Sequence, residues 1–151
     1  MKGVQGVNPT RSPLAWPRVA LTGIGLGIAV YLTLVHYSHV PLLCHASGII
    51  NCADVVTSPQ SVAFGLPLAV WGMLWFVVAA VLAVWTAAGG AAAAASLRPA
   101  RLAWTAAGAL AVVYFVYLEL IVIGHICLWC SGVHLIVLTL LAFEAGSGTP
   151  A

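Results

Sequence analysis

The chain has 151 residues, 63% of them hydrophobic and 5% charged, with a formal net charge of +2 and a mean hydropathy of +1.11. A water-soluble domain of this length needs several times more charge to cover its surface, so the composition excludes one and points to an all-α integral membrane protein in a lipid bilayer. The small positive excess gives no reason to expect a nucleic-acid partner.

Residues 1–18 form a short N-terminal segment carrying Lys2, Arg11 and Arg18. The apolar stretch 19–40 follows, long enough at 1.5 Å per residue to cross a hydrocarbon core of roughly 30 Å. It exceeds a signal-peptide core and no Ala-x-Ala site follows it, so it reads as a retained first helix. Segment 41–65 mixes Cys44, His45, Asn51, Cys52, Asp54, Ser58, Pro59 and Ser61 with Ile49, Ile50, Val55, Val56, Val62 and Phe64, which is too apolar for a simple solvated linker. Asn51 is placed to cap a short helix running from Cys52 to Thr57, and Pro59 ends it by disfavouring helical geometry at Ser58. Cys52 then sits in a first helical turn, where free backbone N–H groups favour a thiolate.

The second span covers 66–88. Gly89, Gly90 and the alanine run 91–95 begin a segment 89–101 that reads as a connecting loop or as an extension of the second helix, and that carries Arg98 and Arg101. The third span, 102–123, includes Glu119. A tight Gly124-His125 connection leads to the fourth, 127–143, near the lower length limit, with Cys127 at its start and residues 144–151 as a tail. No internal repeat and no appended soluble domain is expected. Four crossings place all five Lys and Arg residues on one side, which the positive-inside rule makes cytoplasmic together with both termini. The loop 41–65 and the Gly124-His125 turn face the opposite side.

All four cysteines fall at that outer face, as the pairs Cys44/Cys52 and Cys127/Cys130. Cys44 and Cys52 alone fit an inert structural bridge as well as a redox-active one. A Cys-x-x-Cys bridge closes so small a ring that it restrains the unfolded chain little, so redox exchange is the better reason for Cys127 and Cys130. Together they point to a thiol-disulfide relay with Cys52 and Cys127 as candidate nucleophiles. Zinc suits a membrane-bounded Cys-x-x-Cys poorly, so no metal is expected, and Ser131 in place of histidine after Cys130 excludes covalent haem attachment.

The other polar residues leave choices open. His134 lies one turn from Cys130 on the same face, as a donor to a cavity or as an interhelical hydrogen bond. Glu119 fits proton handling or snorkelling to the interface. His45 and His125 adjoin the cysteines as thiolate partners or as solvated groups. Trp129, Tyr114 and Tyr117 fit an interfacial aromatic belt or a ring-binding wall.

The ordered set Cys44-x7-Cys52, Ser58, Phe64-Gly65-Leu66-Pro67-Leu68, Tyr117-Leu118-Glu119 and Cys127-x-x-Cys130 resembles the vitamin K epoxide reductase family, its bacterial homologues in particular, over most of residues 19–143. The resemblance implies a four-helix transmembrane bundle around a quinone of the menaquinone, ubiquinone or vitamin K type, capped by the outer loop, in a bacterial plasma membrane. It implies that Cys44 and Cys52 receive electrons from an extracytoplasmic thioredoxin-fold thiol protein, that Cys52 attacks Cys127, and that Cys130 faces the quinone ring. Ser58 matches the family's loop serine or threonine, and Phe64 is a contact candidate. Two positions depart from the pattern: His134 stands where vertebrate members carry a tyrosine, and Ser61 where an asparagine is usual. Many bacterial members carry a fused thioredoxin-like domain that this sequence does not contain, so either a separate partner or a truncation is expected. The same relay could instead serve vitamin K or its epoxide as substrate, and a non-enzymatic scaffold with structural bridges is the remaining class.

The topology is testable directly. Cysteines introduced beside Arg98 should be shielded from an impermeant thiol reagent in intact cells while those beside Ser47 react, and the reverse order would overturn the orientation.

Overall fold

The computed structural model describes residues 14–38, 40–44 and 47–147; Lys2, Arg11, His45 and residues 148–151 of the expected tail lie outside them. Three helices are long and apolar enough to cross a membrane. They are α1 (Ala15–Ser38), α3 (Leu68–Tyr117), which continues through a π-helical turn Leu118–Ile123, and α4 (Leu128–Gly146). Between α1 and α3 lie a short helix α2 (Cys52–Val56), a 3₁₀ turn Pro59–Ser61 and a two-stranded ribbon of β1 (Val62–Ala63) and β2 (Leu66–Pro67). The ribbon pairs Val62 with Pro67 and Ala63 with Leu66. Its two-residue turn has positive φ at both Phe64 and Gly65, as a type I′ hairpin turn requires.

α3 is not one straight rod. Gly90 has φ 65° and ψ −153°, a region essentially reserved for glycine. Trp75 Nε1 donates to Trp104 O at 3.3 Å and Trp104 Nε1 to Trp75 O at 3.1 Å, with the indole planes 12° apart. An unbroken helix would hold residues so far apart in sequence about 44 Å from each other. The chain therefore reverses at Gly90 into two limbs, 68–89 and 91–117. Of the two readings of 89–101, loop or helix extension, the helical one describes the backbone: alanine is the best helix former, so the run 91–95 begins the second limb and the reversal is concentrated at one glycine. Pro99 lies inside that limb, and both terminal nitrogens of Arg101 donate to Ala94 O at 3.3 Å in the turn before it.

Small residues let the helices close. A Cβ at Gly25 of α1 would collide with the Phe76 ring, and one at Gly108 with the Trp75 indole. Phe76 is the centre of a core with Ala29, Val112, Ile136, Val137 and Leu140. In lipid such close packing and internal hydrogen bonds hold helices together, because apolar burial gives little advantage there.

At the end of the bundle away from the cysteines, Arg18 and Glu144 belong to α1 and α4 rather than to flanking segments. Arg18 Nε lies 2.7 Å from Glu144 Oε1 and Arg101 Nε 3.1 Å from Glu144 Oε2. Arg101 also donates to Thr86 Oγ1 at 2.9 Å. All three charged side chains are at least 95% buried. α1 therefore includes Arg18 and α4 includes Glu144, because pairing lets these charges enter the bundle. Glu144→Leu strands two buried guanidinium groups and should destabilise the protein by about 3 kcal/mol or more, read as thermal unfolding in detergent; a change within error would show that the cluster is solvated.

Candidate active site

The non-helical backbone at the other end is held by partners from three elements. Ile50 forms a parallel bridge with Ile126, through Ile126 N to Ile49 O at 2.8 Å and Asn51 N to Ile126 O at 3.1 Å. Asn51 caps α2, its side chain accepting from Asp54 N, as its position before Cys52 suggested. Pro41, Leu43 and Trp129 form a clamp around Tyr31 of α1. The Tyr31 hydroxyl donates to Pro41 O at 3.1 Å and accepts from Leu43 N at 2.9 Å, while Trp129 Nε1 donates to Leu43 O at 2.9 Å. The Tyr31 and Trp129 rings pack at 5.1 Å. Trp129 thus fastens the segment leading to Cys44.

Cys44 and Cys52 are joined by a disulfide, while Cys127 and Cys130 are free thiols. Cys127 is the N-cap of α4 rather than a first-turn residue, and its sulfur accepts the Cys130 N–H at 3.3 Å. Cys52 Sγ accepts the Leu128 N–H at 3.4 Å. The sulfurs of Cys52 and Cys127 therefore both lie at the N-terminus of α4, in one buried cluster with Leu32, Val55 and Val56. Exposed N–H groups and the positive end of the helix dipole favour negative charge there. A hydrogen bond from the Cys130 thiol, the largest influence, holds the Cys127 thiol below its ordinary range, with the Cys130 and Trp129 N–H groups assisting and burial and the Glu119 carboxyl opposing.

Below this cluster, between the helices, lies a cavity of about 510 Å³. Trp71, Trp75, Phe76, Trp104 and Phe115 line it, with Cys130, His134, Glu119, Ser58 and Ser61 as its principal polar groups. Its size and mostly apolar wall with a few polar groups suit a small ring compound. His134 is 8% exposed, stacks on Phe115 at 6.3 Å, and makes no hydrogen bond among the described residues. Ser58 Oγ donates to Val55 O and Ser61 Oγ to Ser58 O, which leaves their oxygens as acceptors.

Of the residues singled out in the sequence, the fold brings Cys52, Cys127, Cys130, Ser58, Ser61 and His134 around one site. Phe64 stands apart, 96% exposed and edge-on to Trp71 at 6.1 Å, outside the cavity wall. Tyr114 and Tyr117 are exposed and also outside it. His125 pairs with Asp54 at 3.2 Å, linking the α4 approach to α2. Tyr31, Trp75, Trp104 and His36, which also lines the cavity, were not singled out. A hydroxyl near the end of an apolar span was the available signal for Tyr31, and the wall tryptophans had none that separated them from lipid-facing ones.

Apolar helices that hold two cysteine pairs at the mouth of an aromatic cavity describe a membrane redox protein. The family model described as Vitamin K epoxide reductase family matches residues 16–145, and the chain belongs to that family. No curated protein matches the chain.

The electrostatics can be read from alkylation. In the reduced protein the pH midpoint for Cys127 should lie below the ordinary thiol value of about 8.5, and Cys130→Ala should raise it by removing the donated hydrogen bond. A midpoint unchanged by that substitution would show that the helix terminus alone sets it.

Proposed function

We propose that the protein is a four-span thiol oxidoreductase that passes electrons from a reduced thioredoxin-fold partner outside the membrane to a quinone, and so supports disulfide formation. The doubling back of α3 at Gly90 supports four crossings, and the basic residues support an arginine end on the cytoplasmic side of a bacterial plasma membrane. The loop over the cysteines, with α2 inside it, is then the cap of the site.

The observation that carries the reading is the order of the sulfurs. Cys44 is joined to Cys52, Cys52 shares the α4 N-terminus with Cys127, and Cys130 lines the cavity. A partner dithiol reduces Cys44–Cys52 by exchange. The Cys52 thiolate attacks Cys127 in a Cys127–Cys130 disulfide and Cys130 leaves as thiolate. Cys44 then resolves the mixed disulfide, which regenerates Cys44–Cys52 and leaves Cys127 and Cys130 reduced. A quinone bound in the cavity would supply a two-electron acceptor of higher potential, which sets the direction of flow. His134 is placed to donate to a ring oxygen, Ser58 and Ser61 line the upper wall, and the tryptophans and phenylalanines enclose the ring. Phe64, exposed and outside the cavity wall, is assigned no contact with the ring.

Variants test the order. Cys127→Ser and Cys130→Ser should abolish quinone reduction by any reductant, whereas Cys44→Ser should spare reduction driven by a small dithiol that reaches Cys127 directly. Equal inactivation of all three with the small dithiol would contradict the relay.

A further inference from the structure

Glu119 is used neither by the relay nor by the packing of the helices. It lies in the π-helical turn Leu118–Ile123, which presents Leu118 and Glu119 inward together; such turns recur at functional sites. Its side chain is 6% exposed, so it does not snorkel to the interface. Its Oε2 accepts the Cys127 N–H at a long 3.5 Å, and its carboxyl and the Cys130 thiol share the same buried surroundings and influence each other's charge. It lines the same cavity as Cys130 and His134. The other two acidic side chains among the described residues each have a cationic or titratable partner, Glu144 with two arginines and Asp54 with His125. Glu119 has no ion-pair partner among the described residues, and the titratable groups it interacts with are the Cys127 and Cys130 thiols.

We propose that Glu119 is the acid-base residue of the Cys127/Cys130 pair, taking the Cys130 thiol proton as the pair is oxidised and returning it to the acceptor in the cavity. The inference rests on the quinone reading above. The balance is that of a dithiol and a quinone: one sulfur-sulfur bond forms between Cys127 and Cys130, two electrons leave the sulfurs, and the two thiol protons end on the two ring oxygens. Glu119 carries one of them and finishes in the state in which it began. A carboxyl that lines the same cavity as the thiol whose proton it moves can meet the geometric requirement for such a role directly or through one water. The groups that share its surroundings are Cys127, Cys130 and His134 from α4 and His36 from α1, which lines the same cavity; Asp54 of α2 and His125 pair with each other. Among the described residues, no lysine or arginine lines the cavity.

Glu119→Gln separates this role from a structural one, because glutamine keeps the oxygen that accepts the Cys127 N–H and nearly the same volume but cannot take a proton. Two measurements on the full chain in lipid nanodiscs decide it. The first needs no quinone: infrared difference spectra between the dithiol and disulfide states of Cys127/Cys130 should contain a carboxyl C=O band that Glu119→Gln removes. In the second, single-turnover oxidation of the reduced pair by a soluble quinone should slow about 100-fold or more in Glu119→Gln and lose its pH dependence, while the reaction of Cys127 with a disulfide reagent does not fall. No Glu119-dependent band, or an equal loss in both reactions, would overturn the proposal and leave Glu119 as a cap for the Cys127 N–H. A band in the unsubstituted protein without any quinone turnover would overturn the quinone reading instead, and keep Glu119 as the base of the thiol.

Discussion

Every backbone polar group that enters a bilayer must be satisfied within the protein, and this chain carries a non-helical stretch where its chemistry has to be. The loop between α1 and α3 and the short link before α4 solve the problem together, through the Ile49–Ile126 and Asn51–Ile126 hydrogen bonds. That pairing fixes how far α2 can lie from α4. It places the Cys52 sulfur on the Leu128 N–H and next to Cys127, so two cysteines 75 residues apart in the chain share one helix terminus. Tyr31 and Trp129 hold the remaining strand of the loop, and the His125–Asp54 pair closes its outer side.

The two ends of the bundle use polarity differently. At one, Glu144 shares its two oxygens between Arg18 and Arg101, so three helical segments meet at one fully paired cluster. At the other, His134, Glu119 and the Cys130 thiol face a cavity. Paired charge can be locked inside the bundle because each group has its partner; leaving one out would cost more than the pair contributes. Polar groups without such partners stay next to a space that a ligand can fill. This contrast separates the structural end of the molecule from its reactive end.

The four cysteines lie at graded depths. Cys44 lies on the loop, Cys52 is buried beneath it, Cys127 is wholly buried at the helix start, and Cys130 is nearly a turn further into the bundle beside the aromatic wall. The loop and the start of α4 thus bring the sulfurs of Cys52 and Cys127 together above the cavity that Cys130 lines. The aromatic wall itself is built by the reversal at Gly90, since Trp75 and Trp104 come from opposite limbs of α3 and lock each other by reciprocal hydrogen bonds.

The membrane class, the two cysteine pairs at one end, the α2 cap at Asn51 and the family resemblance were legible in the residues, because hydropathy, capping chemistry and short spacings act locally along the chain. The apolar stretches were legible and helices cover them to within a few residues, whereas 89–101 was open between loop and helix and nothing in the pattern marked Gly90 as the point of reversal. Pairings between distant residues were not legible. Arg18, Arg101 and Glu144 read separately as flanking charges, and only packing shows that one carboxylate serves two guanidinium groups. Trp129 read as an interfacial aromatic until the fold put Leu43 O within its reach, and Glu119 had two open readings until the π turn directed it toward Cys130. In each case the deciding quantity is a distance across the bundle, set by helix packing between segments far apart in sequence, and no local pattern of residues carries it.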